Sequence, residues 1–162
     1  MRQKIRIVGL ILLIVVIAFM TLKTVNNKFA VQVVEGKTNY NTKNATTWQR
    51  FNMKVLKLRT KVGDHVAMVN LGIILFENNN FKDYQEAKLL WKASAKKGDS
   101  HAYFMLGLQS SIGYKGHESH NYKQSYKYFK QSAELGFKRS ICIVEKSEGN
   151  YNNVPKAISK CL

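Results

Sequence analysis

The chain has 162 residues, enough for one domain and short for two. Its 26 lysines and arginines face only 10 acids, giving +16 at pH 7 with a single proline and no acidic tract. No recognised nucleic-acid motif accompanies this excess, so nucleic acid is not the expected partner.

Residues 1–23, MRQKIRIVGLILLIVVIAFMTLK, open with Arg2, Lys4 and Arg6 and continue without a charge from Ile7 to Leu22. At ~1.5 Å per residue this run spans about 24 Å, against a bilayer core of ~30 Å, and Arg6 and Lys23 can snorkel across the difference. A cleaved signal peptide needs small residues before the cut, whereas Phe19-Met20-Thr21-Leu22 offers few. The expected element is therefore an uncleaved signal anchor, a single transmembrane helix with its basic start in the cytoplasm. The body then lies in the periplasm, tethered to a bacterial inner membrane.

Residues 24–47 form a polar, basic linker. Between residues 23 and 63 nine bases face Glu35 alone, so the excess charge is densest just after the apolar segment. Such a stretch either contacts anionic lipid headgroups or is a solvated lysine-rich surface.

From residue 48 onward the chain repeats itself. Gly63, Gly98 and Gly136 are spaced by 35 and 38 residues, and Asp64 and Asp99 follow the first two. Four residues past each glycine stand Ala67, Ala102 and Ser140; seven before stand Leu56, Trp91 and Phe129. Leu71-Gly72 and Leu106-Gly107 recur 35 residues apart. Each period reads as two helices. The first, DHVAMVNLGIILFE, ends at the turn cluster Asn78-Asn79-Asn80. The second, DYQEAKLLWKASAKKG, starts with Asp83 as its N-cap, carries Ala87, Trp91 and Ala95 on one stripe, and stops at Gly98. Gly72 and Gly107 fall inside helices, where glycine costs ~1 kcal/mol against alanine, so a close approach by the paired helix is expected there. The units are a half repeat 48–63, repeats 64–98 and 99–136, and a degenerate capping pair 137–162.

The pattern small-x-x-x-Leu-Gly, followed by Ala-x-x-x-Trp-x-x-x-Ala-x-x-Gly, resembles the Sel1-like repeat family, relatives of the tetratricopeptide repeats. The resemblance implies an all-α fold, a short helix-pair (TPR-like) solenoid behind the N-terminal anchor. It also implies a partner-binding groove lined by first-helix residues flanking Leu-Gly: Val69, Ile73 and Phe76, then Met105, Leu108 and Ser111. Departures are Leu75 and Ser110 at the family's usual tyrosine and ENNNFKD at its usual glycine-rich loop. Small exported members of the family include immunity proteins that neutralise type VI secretion effectors, notably phospholipases. The resemblance therefore implies an inhibitor acting by stoichiometric occlusion of a protein partner, such as a secreted lipase. The alternative is a structural scaffold of a bacterial envelope complex.

No catalytic, cofactor or metal site is expected. His117-Glu118-Ser119-His120 lacks the H-E-x-x-H spacing and falls in an inserted loop. The two cysteines, Cys142 and Cys161, flank a hairpin turning near Tyr151 at similar heights, which admits either one disulfide or two buried thiols.

Overall fold

The computed structural model describes residues 47–78, 80–114 and 118–162. The proposed anchor, 1–23, and all but the last residue of the linker, 24–47, lie outside them. Among the described residues no helix is long and apolar enough to cross a membrane.

The described residues form seven α-helices in order: α1 (Thr47–Lys61), α2 (His65–Glu77), α3 (Phe81–Ala95), α4 (Ser100–Ile112), α5 (Tyr122–Glu134), α6 (Lys138–Lys146) and, after a 3-10 turn at Tyr151–Asn153, α7 (Val154–Cys161). Each packs chiefly on its neighbours in the chain, and the tightest unions are α2 with α3 and α4 with α5. The architecture is thus all-α, a consecutive series of helix pairs with solenoid-like packing. α1 packs on α2 ahead of the first pair, and α6 and α7 pack on each other at the other end.

The helix ends follow from local chemistry. Gly63, Gly98 and Gly136 have φ of +82°, +81° and +83°. Around Gly98 and Gly136 a Cβ would meet nothing within 4 Å, so there the demand is conformational, a left-handed stop that other residues resist. Asp64 then accepts from the Ala67 backbone N–H, and Asp99 from those of His101 and Ala102, capping α2 and α4. The N-cap of α3 differs from the sequence expectation. It is Asn80, whose side chain accepts from the Asp83 N–H at 2.9 Å. Asp83 lies in the first turn instead, taking hydrogen bonds from the amides of Asn78 and Asn80. The Asp83 carboxylate is taken up by those two amides, and Asn80 supplies the acceptor for the first-turn N–H.

Within each pair an aromatic ring lies on a glycine. A Cβ at Gly72 would come within 2.4 Å of Trp91 Nε1; one at Gly107 would come within 2.7 Å of the Phe129 ring. Trp91 and Phe129 are fully buried, and the Trp91 indole also donates to the Val69 carbonyl at 3.1 Å. The close approach expected at these glycines is therefore made by one ring, not by the partner helix backbone. Ala67 and Ala102, both fully buried, are the corresponding small residues nearer each helix start.

A second repeat device is a serine bond. Ser94 Oγ donates to the His65 carbonyl at 3.1 Å, and Ser132 Oγ to the Ser100 carbonyl at 2.7 Å. Both serines stand four before their terminal glycine, and both carbonyls two after the preceding one. At the same position in α1 stands Arg59, which turns forward and grips Asp64 from Nε and Nη2 at 2.9 and 2.7 Å. That pairing joins the half repeat to the first full one.

Alanine at Gly72 or Gly107 gains about 1 kcal/mol of helix propensity but overpacks a site closed by a large ring. We expect each substitution to lower stability by about 1–3 kcal/mol net, read from urea denaturation midpoints at unchanged m-value.

Candidate partner-binding groove

The first helices of the pairs bear almost no charge. α2 has only Glu77 besides His65, and α4 has neither acid nor base apart from His101. Apolar side chains of α2 and α4 not taken up within the pairs meet on one side of the array. There they line a groove of about 580 Å3, within the range of sites that take a small ligand or a few partner side chains.

Five residues carried over by resemblance meet in this groove: Ile73 and Phe76 from α2, and Met105, Leu108 and Ser111 from α4. Phe76 packs on Trp91 with ring centroids 5.6 Å apart, so the groove floor is continuous with the repeat core. Val69 does not line it. It is buried, 2% exposed, and its carbonyl holds the Trp91 indole. Its equivalent three before Gly107, Phe104, does reach the groove, as does Met105 beside it, so the shorter side chain of Val69 is the one that stays in the core.

Other groove residues escaped sequence reasoning. Ile112, at the end of α4, is 63% exposed at the rim. Ile158 and Leu162 arrive from α7, and Arg139 from the first turn of α6. Their arrival depends on how the closing pair folds back, which no repeat motif encodes. Among the described residues that line the groove, Glu77 and Arg139 carry the charged side chains.

The wall that α7 supplies is fastened covalently. Cys142 in α6 and Cys161 in α7 form a disulfide with Cα atoms 5.9 Å apart. α7 is eight residues long, too short to hold a helical form without tertiary contacts. Val154 and Ala157 bury its inner side, and the bridge pins its far end beside Leu162.

His101 sits behind the groove, stacked on Phe137 with centroids 5.2 Å apart. Burial lowers its pKa, with Asp99 opposing and Arg139 adding to the fall, so the ring stays neutral and acts as packing. Phe104 meets the same Phe137 at 4.8 Å.

The inserted loop between α4 and α5 has more structure than its polar sequence suggests. Glu118 accepts from Lys88 Nζ at 2.9 Å, from Gln85 Nε2 at 2.8 Å and from the Tyr84 hydroxyl at 3.1 Å. The Lys88 hydrogen bond chiefly holds its carboxyl below the ordinary glutamate range, while burial and the adjacent carboxylate push the Tyr84 hydroxyl well up. Its backbone also bonds that of Tyr114 in both directions, at 2.7 and 2.8 Å. Glu118 is thus a clamp tying the loop to α3. Among the described residues no cluster of three or more potential metal ligands occurs.

Removing the disulfide with Cys142→Ser and Cys161→Ser, or reducing it, should cost about 2–4 kcal/mol of stability. Hydrogen exchange should rise in α7 before the two full repeats, and equal loosening of all helices would contradict the wall assignment.

Comparison with known protein families, curated proteins and solved structures finds no match for this chain, so the chemistry of the groove is argued from these residues alone.

Proposed function

We propose that this chain is a membrane-tethered, protein-binding helix-pair solenoid of the Sel1-like kind, anchored in a bacterial inner membrane with its folded body in the periplasm. In its most specific form it is an immunity protein. It occludes a type VI secretion toxin such as a phospholipase effector before the toxin reaches the membrane, stoichiometrically and without turnover.

The observation that carries the reading is the apolar groove. Leu108, Ile112, Ile158 and Leu162 hold apolar surface in water along a face whose lining comes chiefly from α2, α4 and α7, with single residues from α3 and α6. Exposed apolar surface in a groove is a cost to the isolated chain and is offset when a partner covers it. Glu77 and Arg139 among its lining residues supply orientation for a segment carrying the opposite charges. The uncharged run Ile7–Leu22 supports the tether, and the Cys142–Cys161 bridge suits an oxidising compartment.

Leu108→Asp with Ile112→Asp tests the groove, because these side chains lie at its surface whereas Met105 is nearly buried. The wild-type chain should protect cells from a periplasmic phospholipase toxin encoded beside it, with one-to-one complex formation. The double variant should bind at least about tenfold more weakly at unchanged circular dichroism. Full protection by the variant would remove the groove from the account. Wild-type capture of envelope-assembly components without toxin protection would favour the scaffold reading.

A further inference from the structure

The charge of this protein is divided between its two faces. α2 and α4 contain no lysine or arginine, whereas α1, α3 and α5, the second helices of the array, carry most of the cations in the described residues. The cations also share one register. Leu56, Trp91 and Phe129 are each fully buried, and each is followed directly by a lysine: Lys57, Lys92 and Lys130, all exposed. One position is about 100° around a helix, so the same buried residue fixes the same outward direction for the lysine in all three.

Further lysines widen this stripe. Lys61 and Lys96 stand five after the buried residue, and Lys54 and Lys127 two before it. Within this stripe Lys54, Lys57 and Lys61, then Lys92 and Lys96, then Lys127 and Lys130 are three or four apart and stack along one side. Acids are few. α1 has none, α3 has Asp83 and Glu86, and α5 has only Glu134, which stands at the position of Lys61 and Lys96. Asp83 is held by the α3 cap.

Two leucines decide what this face meets. Leu89 stands in α3 at the position that is lysine in α1 and α5, and is 67% exposed. Leu58 follows Lys57 in α1 and is 62% exposed. Apolar side chains projecting among lysines add nothing to contact with a phosphate backbone in water. They suit the boundary between headgroups and acyl chains, where the cations lie at phosphate level and the leucines just beneath.

We propose that the outer face of α1, α3 and α5 docks on an anionic phospholipid surface, through the Lys57, Lys92 and Lys130 stripe with Leu58 and Leu89 inserted. The body then lies flat on the bilayer and the groove opens away from it. This orientation rests on the tethered reading above and goes further, since an anchored domain on a basic linker is otherwise free to tumble.

The full chain, reconstituted into phosphatidylcholine nanodiscs with or without about 30% phosphatidylglycerol, tests this by lysine acetylation read by mass spectrometry. Lys57, Lys92 and Lys130 should react about fivefold more slowly with the anionic lipid, and 0.5 M salt should restore them. Lys156 and Lys160, on α7, should not change. Equal reactivity in the two lipids overturns the proposal while leaving the anchor intact, which co-flotation with pure phosphatidylcholine vesicles reports separately. Salt-sensitive flotation only with phosphatidylglycerol, together with slowed acetylation of Lys57, Lys92 and Lys130, upholds the face without the anchor; flotation without that slowing assigns the contact elsewhere and overturns the proposal. The variants Lys57→Gln, Lys92→Gln and Lys130→Gln together, or Leu89→Asp alone, should each abolish the anionic-lipid effect on the acetylation of Lys54 and Lys127. Equal protection of the same lysines by duplex DNA, with Leu89→Asp without effect, would make the face a general polyanion surface and contradict the proposal.

Discussion

The fold depends on the contact of one aromatic ring with one glycine in each full pair. Trp91 on Gly72 and Phe129 on Gly107 set how closely the two helices approach, because no Cβ fits beneath either ring. Once that spacing is fixed, the serine bonds to His65 and Ser100 fall into place near the other end of each interface. The first helix is then held at both ends, and its remaining apolar residues face the neighbouring pair and the groove. A glycine that weakens a helix in isolation thereby stabilises the pair, at a net gain set by burial of a whole ring.

The array has two faces of different chemistry, and this follows from the same lock. The residue after each buried Leu56, Trp91 or Phe129 is forced outward, which places lysines on the outer side of every second helix. The residue after each packed glycine, Ile73 or Leu108, is turned toward the groove. A solvent-facing cation and a partner-facing apolar side chain are therefore assigned by one register. The closing pair departs from it: α6 has no Leu-Gly, Phe137 caps it without a side-chain hydrogen bond, and a disulfide replaces the ring lock. That substitution suits an array end, where no further repeat buries the last helix.

Much of this is legible in the chain because repeat spacing converts single residues into positions. Gly63, Gly98 and Gly136 mark helix stops by their positive φ, and the two aromatics mark the core, since both signals are local. The start of α3 was harder, because Asn80 and Asp83 are both competent caps and only the hydrogen-bond geometry separates them. Val69 belongs to the core although Phe104, at the same position before its glycine, reaches the groove, a difference of side chain that repeat spacing does not carry. The α7 wall, with Ile158 and Leu162, and the Glu118 clamp were invisible, since both depend on contacts between segments that share no periodic signal.

The ring-on-glycine lock is most directly tested by a double-mutant cycle on Gly107→Ala and Phe129→Leu. Leucine lacks the ring edge that the new methyl would strike, so the two changes should couple. The double variant should be less destabilised than the sum of the singles by about 1 kcal/mol or more. Additivity to within about 0.5 kcal/mol would mean that the glycine serves something other than the ring, and would contradict the account.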